Sequence, residues 1–388
     1  MSTKRLQLSR HNSHVRIFAF NTTPQSAAAK SECSEYLCMF TILNPTLTFR
    51  EQVTELLSLC SHIKETNFEG QVADLSSARI AFKRYYLSDA ANQVDELRAL
   101  TGEEDCAVSM VQQPPLSGSK VGMWVYFMTG TNNHKIDEHL YSVSHDGYDE
   151  LWSTQNTAEG ADSYAQTFDI LSTYADSLRS QGCTLKDNCV RTWLYVNDID
   201  NQYAGVVNAR NDVFDREGLT ADTHFIASTG IGGRDARHEV YCKMNAVAIK
   251  GIAPEQVHYL YALDHLNRTS DYGVRFERGT YVDFASRRRV YISGTASIDN
   301  RGNVVHEGDI RRQTLRMWEN IEALLKEADC TFDNVAEFSV YLRDIADYAV
   351  VSEMFKEKFP HTPYIILHAP VCRPGWLIES ECIALKEL

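Results

Sequence analysis

The sequence predicts an α+β protein built from three tandem copies of one small module, and three observations carry that expectation. A helix–strand–helix–strand pattern recurs at a spacing of about 146 residues. Within each copy, stretches of helix-period hydrophobicity alternate with stretches of strand-period hydrophobicity. The chain, at 388 residues, is also too long for one ordinary core.

The repeat is clearest in the second and third copies. Gln166-Thr167, an amphipathic helix, Cys183-Thr184-Leu185 and the strand Leu194-Tyr195-Val196-Asn197-Asp198-Ile199 form the first instance. Gln313-Thr314, a helix, Cys330-Thr331-Phe332 and Val340-Tyr341-Leu342-Arg343-Asp344-Ile345 form the second. Both then continue in step, as Tyr203-Ala204 to Phe214 and as Tyr348-Ala349 to Phe359. A fainter copy precedes them, in which Tyr86-Leu87-Ser88-Asp89 matches Tyr195-Val196-Asn197-Asp198. Upstream of it lies a helical pattern from Thr48 to Ile63, and downstream are strand-like runs from Ala107 to Val111 and from Val121 to Met128.

Each copy therefore reads strand, helix, strand, helix, strand, strand. Ile321, Leu324, Leu325 and Ala328 share one helix face. Phe338, Val340 and Leu342 alternate along a strand, as expected where one face is covered. Asp89, Asp198 and Asp344 each end a strand just before a helix, which makes them caps. The stretches 130–147 and 251–270 read as linkers, giving modules at 15–145, 146–255 and 271–388. Helices on one face of a mixed, mostly antiparallel sheet make each module α+β.

Composition excludes several functions. A net charge of −14 does not suit a nucleic-acid surface. Arg287-Arg288-Arg289, the one dense basic run, reads as a solvated turn. No apolar run reaches membrane-spanning length. Met1 to His14 is polar, lacks the apolar core of a signal peptide, and is the only stretch that suggests disorder. The ten cysteines have no CxxC spacing and the thirteen histidines no HExxH pattern, so the expectation is buried thiols, no metal and a cytoplasmic protein.

The C-terminal copy carries Tyr281, Ile292-Ser293-Gly294, Gly308-Asp309, Gln313-Thr314, Asn320-Ile321, Tyr341 to Asp344 and Glu379-Ser380-Glu381-Cys382-Ile383-Ala384. This resembles the YjgF-like, reactive-intermediate deaminase superfamily, whose fold is the chorismate-mutase-like module. The arginine of that superfamily's deaminase motif has no counterpart in Ile226-Ala227-Ser228 or Pro363-Tyr364-Ile365. A narrower family fits Arg191-Thr192-Trp193-Leu194-Tyr195, the Tyr203 to Phe214 run with Asn208-Ala209-Arg210, Ala227 to Gly233, Gly294 to Ser297, and Cys372-Arg373-Pro374 with Glu379. That pattern is similar to the chorismatases, which join YjgF-like modules in one chain and remove pyruvate from chorismate without a cofactor. The likeness is close over 148–388 and loose over 15–145. Lys243-Met244-Asn245 departs from it, standing where the superfamily has acidic residues. One competent cleft, between the second and third modules, is the consequence.

The resemblance implies a dicarboxylate substrate whose enolpyruvyl methylene carbon must be protonated, a task for a buried carboxylic acid. Glu379 and Glu381 lie on one strand face; the resemblance points to Glu379 as the acid and Glu381 as its support. Arg191, Arg210 and Arg373 are the candidates for the substrate carboxylates. Thr229 and Gly230 begin a glycine-rich tight turn lining the cleft, with no helix behind it for a phosphate. Cys372 and Gly279 are expected as walls that set the product, and Tyr203, Tyr281, Ser293 and Gly294 match superfamily pocket positions. Other readings of the same fold are a deaminase-type hydrolase and a silent metabolite-binding protein. The expected assembly is a monomer whose three modules close a pseudo-trimeric barrel on themselves.

Overall fold

Thr48 starts the first helix with a reciprocal capping box, its hydroxyl accepting from the Glu51 amide while Glu51 bonds back to the Thr48 amide. That local rule repeats, with variations, through a computed structural model that describes residues 2–21, 33–66 and 75–388.

The first module contains β1 (Ser2–Arg10), β2 (Ser13–Asn21), β3 (Glu35–Ile42), α1 (Phe49–Glu65), β4 (Arg79–Leu87), α2 (Ala90–Thr101), β5 (Ala107–Gln112) and β6 (Val121–Met128). The second contains β7 (Asn132–Lys135), β8 (Leu140–His145), β9 (Tyr148–Asn156), α3 (Ser163–Ser180), the single turn α4 (Leu185–Asn188), β10 (Cys189–Val196), α5 (Ile199–Arg216), β11 (Ala227–Gly232) and β12 (Cys242–Lys250). The third contains β13 (Val257–Leu260), β14 (Gly279–Asp283), β15 (Arg287–Ala296), α6 (Ile310–Glu327), β16 (Val335–Leu342), α7 (Tyr348–Lys358), β17 (Tyr364–His368) and β18 (Ile378–Glu387).

All three sheets have six strands in one shared order, β1-β2-β3-β6-β4-β5 in the first module and its equivalents in the others. Among the described strands only the pairs β4/β5, β10/β11 and β16/β17 are parallel, each bridged by a helical crossover. The stretches read as linkers carry strands instead: β7 and β8 lie within 130–147, and β13 within 251–270. Short edge strands with few apolar residues give hydropathy little to detect. For the same reason the polar N-terminus, read as unstructured, is the edge strand β1.

The sheets do not merge into one closed barrel, contrary to the sequence expectation. Neighbouring modules meet through isolated bridges, Gln112 with Arg234, Ile231 with Val371 and Pro115 with Leu367. Pro114, Pro115 and Pro370 stand at these junctions, and a residue without an N–H cannot extend a ladder. Side chains close the assembly instead. Phe82, Trp152 and Trp193, drawn from two modules, stack with ring centroids 4.8 and 6.4 Å apart.

The strand β16 is buried on both faces, not one. Phe338, Val340 and Leu342 face the helix layer, where Ile321, Leu324, Leu325 and Ala328 also lie buried as expected. Glu337, Ser339 and Tyr341 alternate with them. Of the three expected caps, Asp344 alone bonds the backbone, accepting from the Ala346 amide at 2.8 Å. Asp198 takes the left-handed conformation and bonds the Asn201 side chain, while Asp89 makes no side-chain cap.

Arg287 and Arg289 correct the sequence reading most sharply. They start β15 and are wholly buried, while Arg288 between them pairs with Asp283. Arg289 donates to Glu150 at 2.7 Å and to Glu35 at 2.9 Å; Arg287 bonds Glu35 and Asp146. Glu35, Glu150 and Arg289 stand opposite Met128, Ile249 and Leu385, the same position in each module. Period-2 geometry turned alternate arginines inward onto carboxylates supplied by the other modules. No window of local sequence contains those partners.

Candidate active site

Between the second and third modules lies a cavity of about 400 Å³. From α5 it receives Tyr203, Ala204, Val207, Asn208 and Arg210; Ser228 and Gly230 come from β11. The third module contributes Arg278, Gly294, Cys372, Arg373, Trp376 and Glu379. The segment 273–276 adds Gly273, Val274 and Phe276.

Local structure explains how these side chains converge. The run that begins at Thr229 and Gly230 is a strand, β11, and not a tight turn. Its glycines serve close approach: a Cβ at Gly230 would lie 2.9 Å from the Tyr203 ring, and one at Gly232 would lie 2.7 Å from Pro370. At Gly294 a Cβ would come within 2.8 Å of the Glu379 carboxyl carbon. The absence of a side chain there makes room for the acid. Thr229 ties the two modules, accepting from the Gly294 amide at 2.9 Å and from Arg191 at 2.6 Å.

Glu379 is 4% exposed and accepts no hydrogen bond from any described residue. Burial, then the charge of Glu381, pushes its carboxyl up to about 8, against the opposing pull of Arg278 and Arg191. Glu381 lies on the same face but is taken up, accepting from Arg191 at 2.6 Å and from the Trp193 indole at 2.7 Å. Two neighbouring carboxyls thus differ in state: one is an ion pair and the other an acid.

Arg210 is 1% exposed, lies near the Phe276 ring, and has two guanidinium nitrogens, Nε and Nη2, with no partner among the described residues. Arg373 lies over Trp376 at 4.7 Å and donates to the Gly302 carbonyl. Cys372 is a wall beside Tyr203; burial, then the charge of Glu379, holds its thiol up at about 12, which makes it a poor nucleophile.

Of the residues singled out from sequence, Glu379, Arg210, Arg373, Tyr203, Gly230, Cys372 and Gly294 line the cavity. Arg191, Thr229, Ser293 and Glu381 lie behind its wall; the Ser293 hydroxyl donates to the Glu277 carbonyl and accepts from the Ser228 amide. Gly279 and Tyr281 lie elsewhere. Gly279 packs against Leu260 and Ile292, and the Tyr281 ring stacks on His258 with Arg288 over it. Sequence reasoning missed Arg278, which is 4% exposed and donates to Asn267 at 2.9 to 3.2 Å. It also missed Phe276 and Trp376. Arg278 stands directly before Gly279, so attention to that strand's first residue and its neighbour was the available signal.

The equivalent positions in the other modules are filled. Glu379 stands opposite Tyr341, Lys243 opposite Tyr195, and Gly122 opposite Tyr86. Lys243 donates to Asp235 at 2.8 Å and to the Met110 carbonyl at 2.7 Å, and the Ile365 side chain reaches 2.5 Å from where a Cβ on Gly122 would be. One of the three related places therefore carries an acid facing a cavity.

Comparison with known proteins agrees with this architecture. Residues 275–386 match the family model described as Endoribonuclease L-PSP. A RutC family protein of Pyrococcus abyssi is 36% identical over 100 residues, covering 25% of this chain and 79% of that protein. The chain belongs to the RutC family, the YjgF-like group. A second RutC family protein, from Pyrococcus horikoshii, is 35% identical over the same shares of the two chains. Over a longer span, a crystallographically solved chorismatase aligns with a TM-score of 0.61, covering 79% of this chain and 92% of that one at 19% identity. At that identity the likeness is one of fold: three RutC-type modules in a single chain. Among the described residues no helix is long and apolar enough to cross a membrane.

Proposed function

We propose that this cavity binds chorismate and releases pyruvate from it, with Glu379 as the proton donor. The observation that carries the reading is a buried carboxyl held up to about 8 that faces a cavity also lined by Arg210, whose Nε and Nη2 are unpartnered among the described residues. An acid that stays protonated at neutral pH is what an enol ether requires, since its methylene carbon must take up a proton. The arginines of the cavity match a substrate with two carboxylates.

Protonation by Glu379 leaves an oxocarbenium centre on the ether carbon. Water adding there gives a hemiketal that collapses to pyruvate and a dihydroxycyclohexadiene acid. If a ring proton is lost and the ring–oxygen bond breaks, pyruvate and a hydroxybenzoate leave with no water consumed. Buried Arg210 suits a fixed carboxylate, and Arg373, nearer solvent, suits the second. A deaminase reading lacks support in the cavity, because Ser228 occupies the segment where the deaminase motif carries arginine.

The test is incubation of purified protein with chorismate, followed by enzymatic measurement of pyruvate and chromatography of the organic acid. Pyruvate formation that disappears in Glu379→Gln supports the assignment. Tight chorismate binding without pyruvate would make the protein a binder, and neither binding nor turnover would overturn the reading.

A further inference from the structure

The most regular feature of the sequence repeat is its tyrosine, and the cavity does not use it. Tyr86, Tyr195 and Tyr341 occupy one register position in the three modules, all at most 1% exposed. They surround Arg84, and each lies within reach of its charge. Arg84 is fully buried. The rings of Trp193, Trp124, Phe82, Tyr195 and Tyr86 lie 4.8 to 6.0 Å from its guanidinium carbon.

The hydrogen-bond tally in this region is one-sided. Nε, Nη1 and Nη2 of Arg84 have no partner among the described residues, nor do Tyr195 Oη, Tyr341 Oη, Trp124 Nε1 and Arg191 Nη1. Glu381 Oε1 lies 3.8 Å from Arg84 Nη1 and is already bonded by Trp193. Buried N–H groups left without acceptors are costly, and those of a charged group most of all. Charge is one-sided too. Arg84 and Arg191 face the Glu381 carboxylate, while burial and then Glu381 hold the second carboxyl, Glu337, near 8 and so mainly neutral at pH 7.

We propose that the meeting point of the three modules, around Arg84 and the repeated tyrosines, is a binding site for a small inorganic anion of halide size. The Tyr195 and Tyr341 hydroxyls can accept as well as donate, but the guanidinium of Arg84 and the indole N–H of Trp124 can only donate, and an anion accepts from several such donors at once. Arg84 and the three tyrosines do not line the Glu379 cavity, so this site is separate from the proposed chorismate site. The burial of Arg84 and the three tyrosines favours a monatomic ligand over a carboxylate metabolite.

Bromide is the probe. Crystals of the full chain grown in sodium bromide should give an anomalous peak within hydrogen-bond distance of the Arg84 guanidinium. In solution, exchanging gluconate for chloride at fixed ionic strength should raise Tm by roughly 2–4 °C. Arg84→Met should lose both signals. Because that variant can fail to fold, Tyr341→Phe and Tyr195→Phe, which keep the ring and remove one donor each, should fold and show a smaller chloride response. Bromide found only at the surface, together with equal Tm in both salts, would overturn the proposal.

Discussion

Lys243 and Glu379 occupy the same place in successive modules, each directly across its sheet from the repeated tyrosine, Tyr195 in one and Tyr341 in the other. In the middle module the position holds a cation bonded to Asp235; in the last it holds an acid with no hydrogen-bonding partner among the described residues. This pair is where the repeated modules differ in chemistry.

Replacing Glu379 with Gln should abolish pyruvate release and leave the fold intact. The amide keeps the shape and removes the transferable proton. Pyruvate assays alongside circular dichroism test this: a folded variant with most of the wild-type turnover would show the donor to be another group.

Gly294→Ala should cut turnover strongly while costing little stability. The new methyl would press on the Glu379 carboxyl, which is the movable end of a side chain, and also on Thr229 at 3.0 Å. The carboxyl can shift, so a loss of about 1 kcal/mol in stability is the expected scale. Thermal melts and kcat, measured together, separate the two effects.

Arg210→Ala should lower kcat/KM by about 2–5 kcal/mol, or roughly 30- to 5,000-fold, with Arg210→Lys a poor substitute. A buried guanidinium with free N–H groups is the natural partner of a carboxylate. An unchanged kcat/KM for chorismate would remove Arg210 from the binding site.

The pH dependence follows from two acids. Burial, then the charge of Glu381, holds both Glu379 and Glu337 up at about 8, against an ordinary 4.5. With the folded pKa above the unfolded one, the stabilisation is complete below about pH 4.5 and is lost as pH rises through about 8. Each acid then contributes a slope of about −1.4 kcal/mol per pH unit in that window. Urea midpoints at pH 6 and 8 should fall less steeply in Glu337→Gln than in the wild type. Turnover in the wild type should decline as pH passes about 8, when Glu379 gives up its proton. A pH-independent rate from 6 to 9 would contradict its role as the acid.

In solution the chain should be a monomer, with a mass near 44.0 kDa by light scattering. Its three modules already cover one another's inner sheet faces. A mass near three times that value would require an interface the repeat does not provide.

How much of this was legible from sequence varies with the range of the interaction. The modules, helix α6 and the place of Glu379 rest on periodicity and short motifs, which are properties of consecutive residues. The burial of Arg287 and Arg289 was not legible, because their carboxylate partners lie more than one hundred residues away in the other two modules. Arg278 was missed for a related reason: its neighbour Gly279 is the only local mark beside it, and the contacts of Gly273 and Arg275 with Asn211 of α5 form the cavity it shares with Glu379 only in the folded chain.

The sequence by itself determined the repeated α+β module, a lysine at 243, and the placing of Glu379 with Glu381 on one strand face. Those follow from periods of 3.6 and 2 and from residue identity. Tertiary structure alone decided which carboxyl is an ion pair and which remains an acid. Arg191 and Trp193 of the middle module reach Glu381, whereas burial leaves Glu379 without a hydrogen-bond donor among the described residues. It likewise decided that the modules close through side chains without a continuous ladder, because prolines stand where the sheet edges meet and Arg84 and the tyrosines face one another only once all three modules are in place.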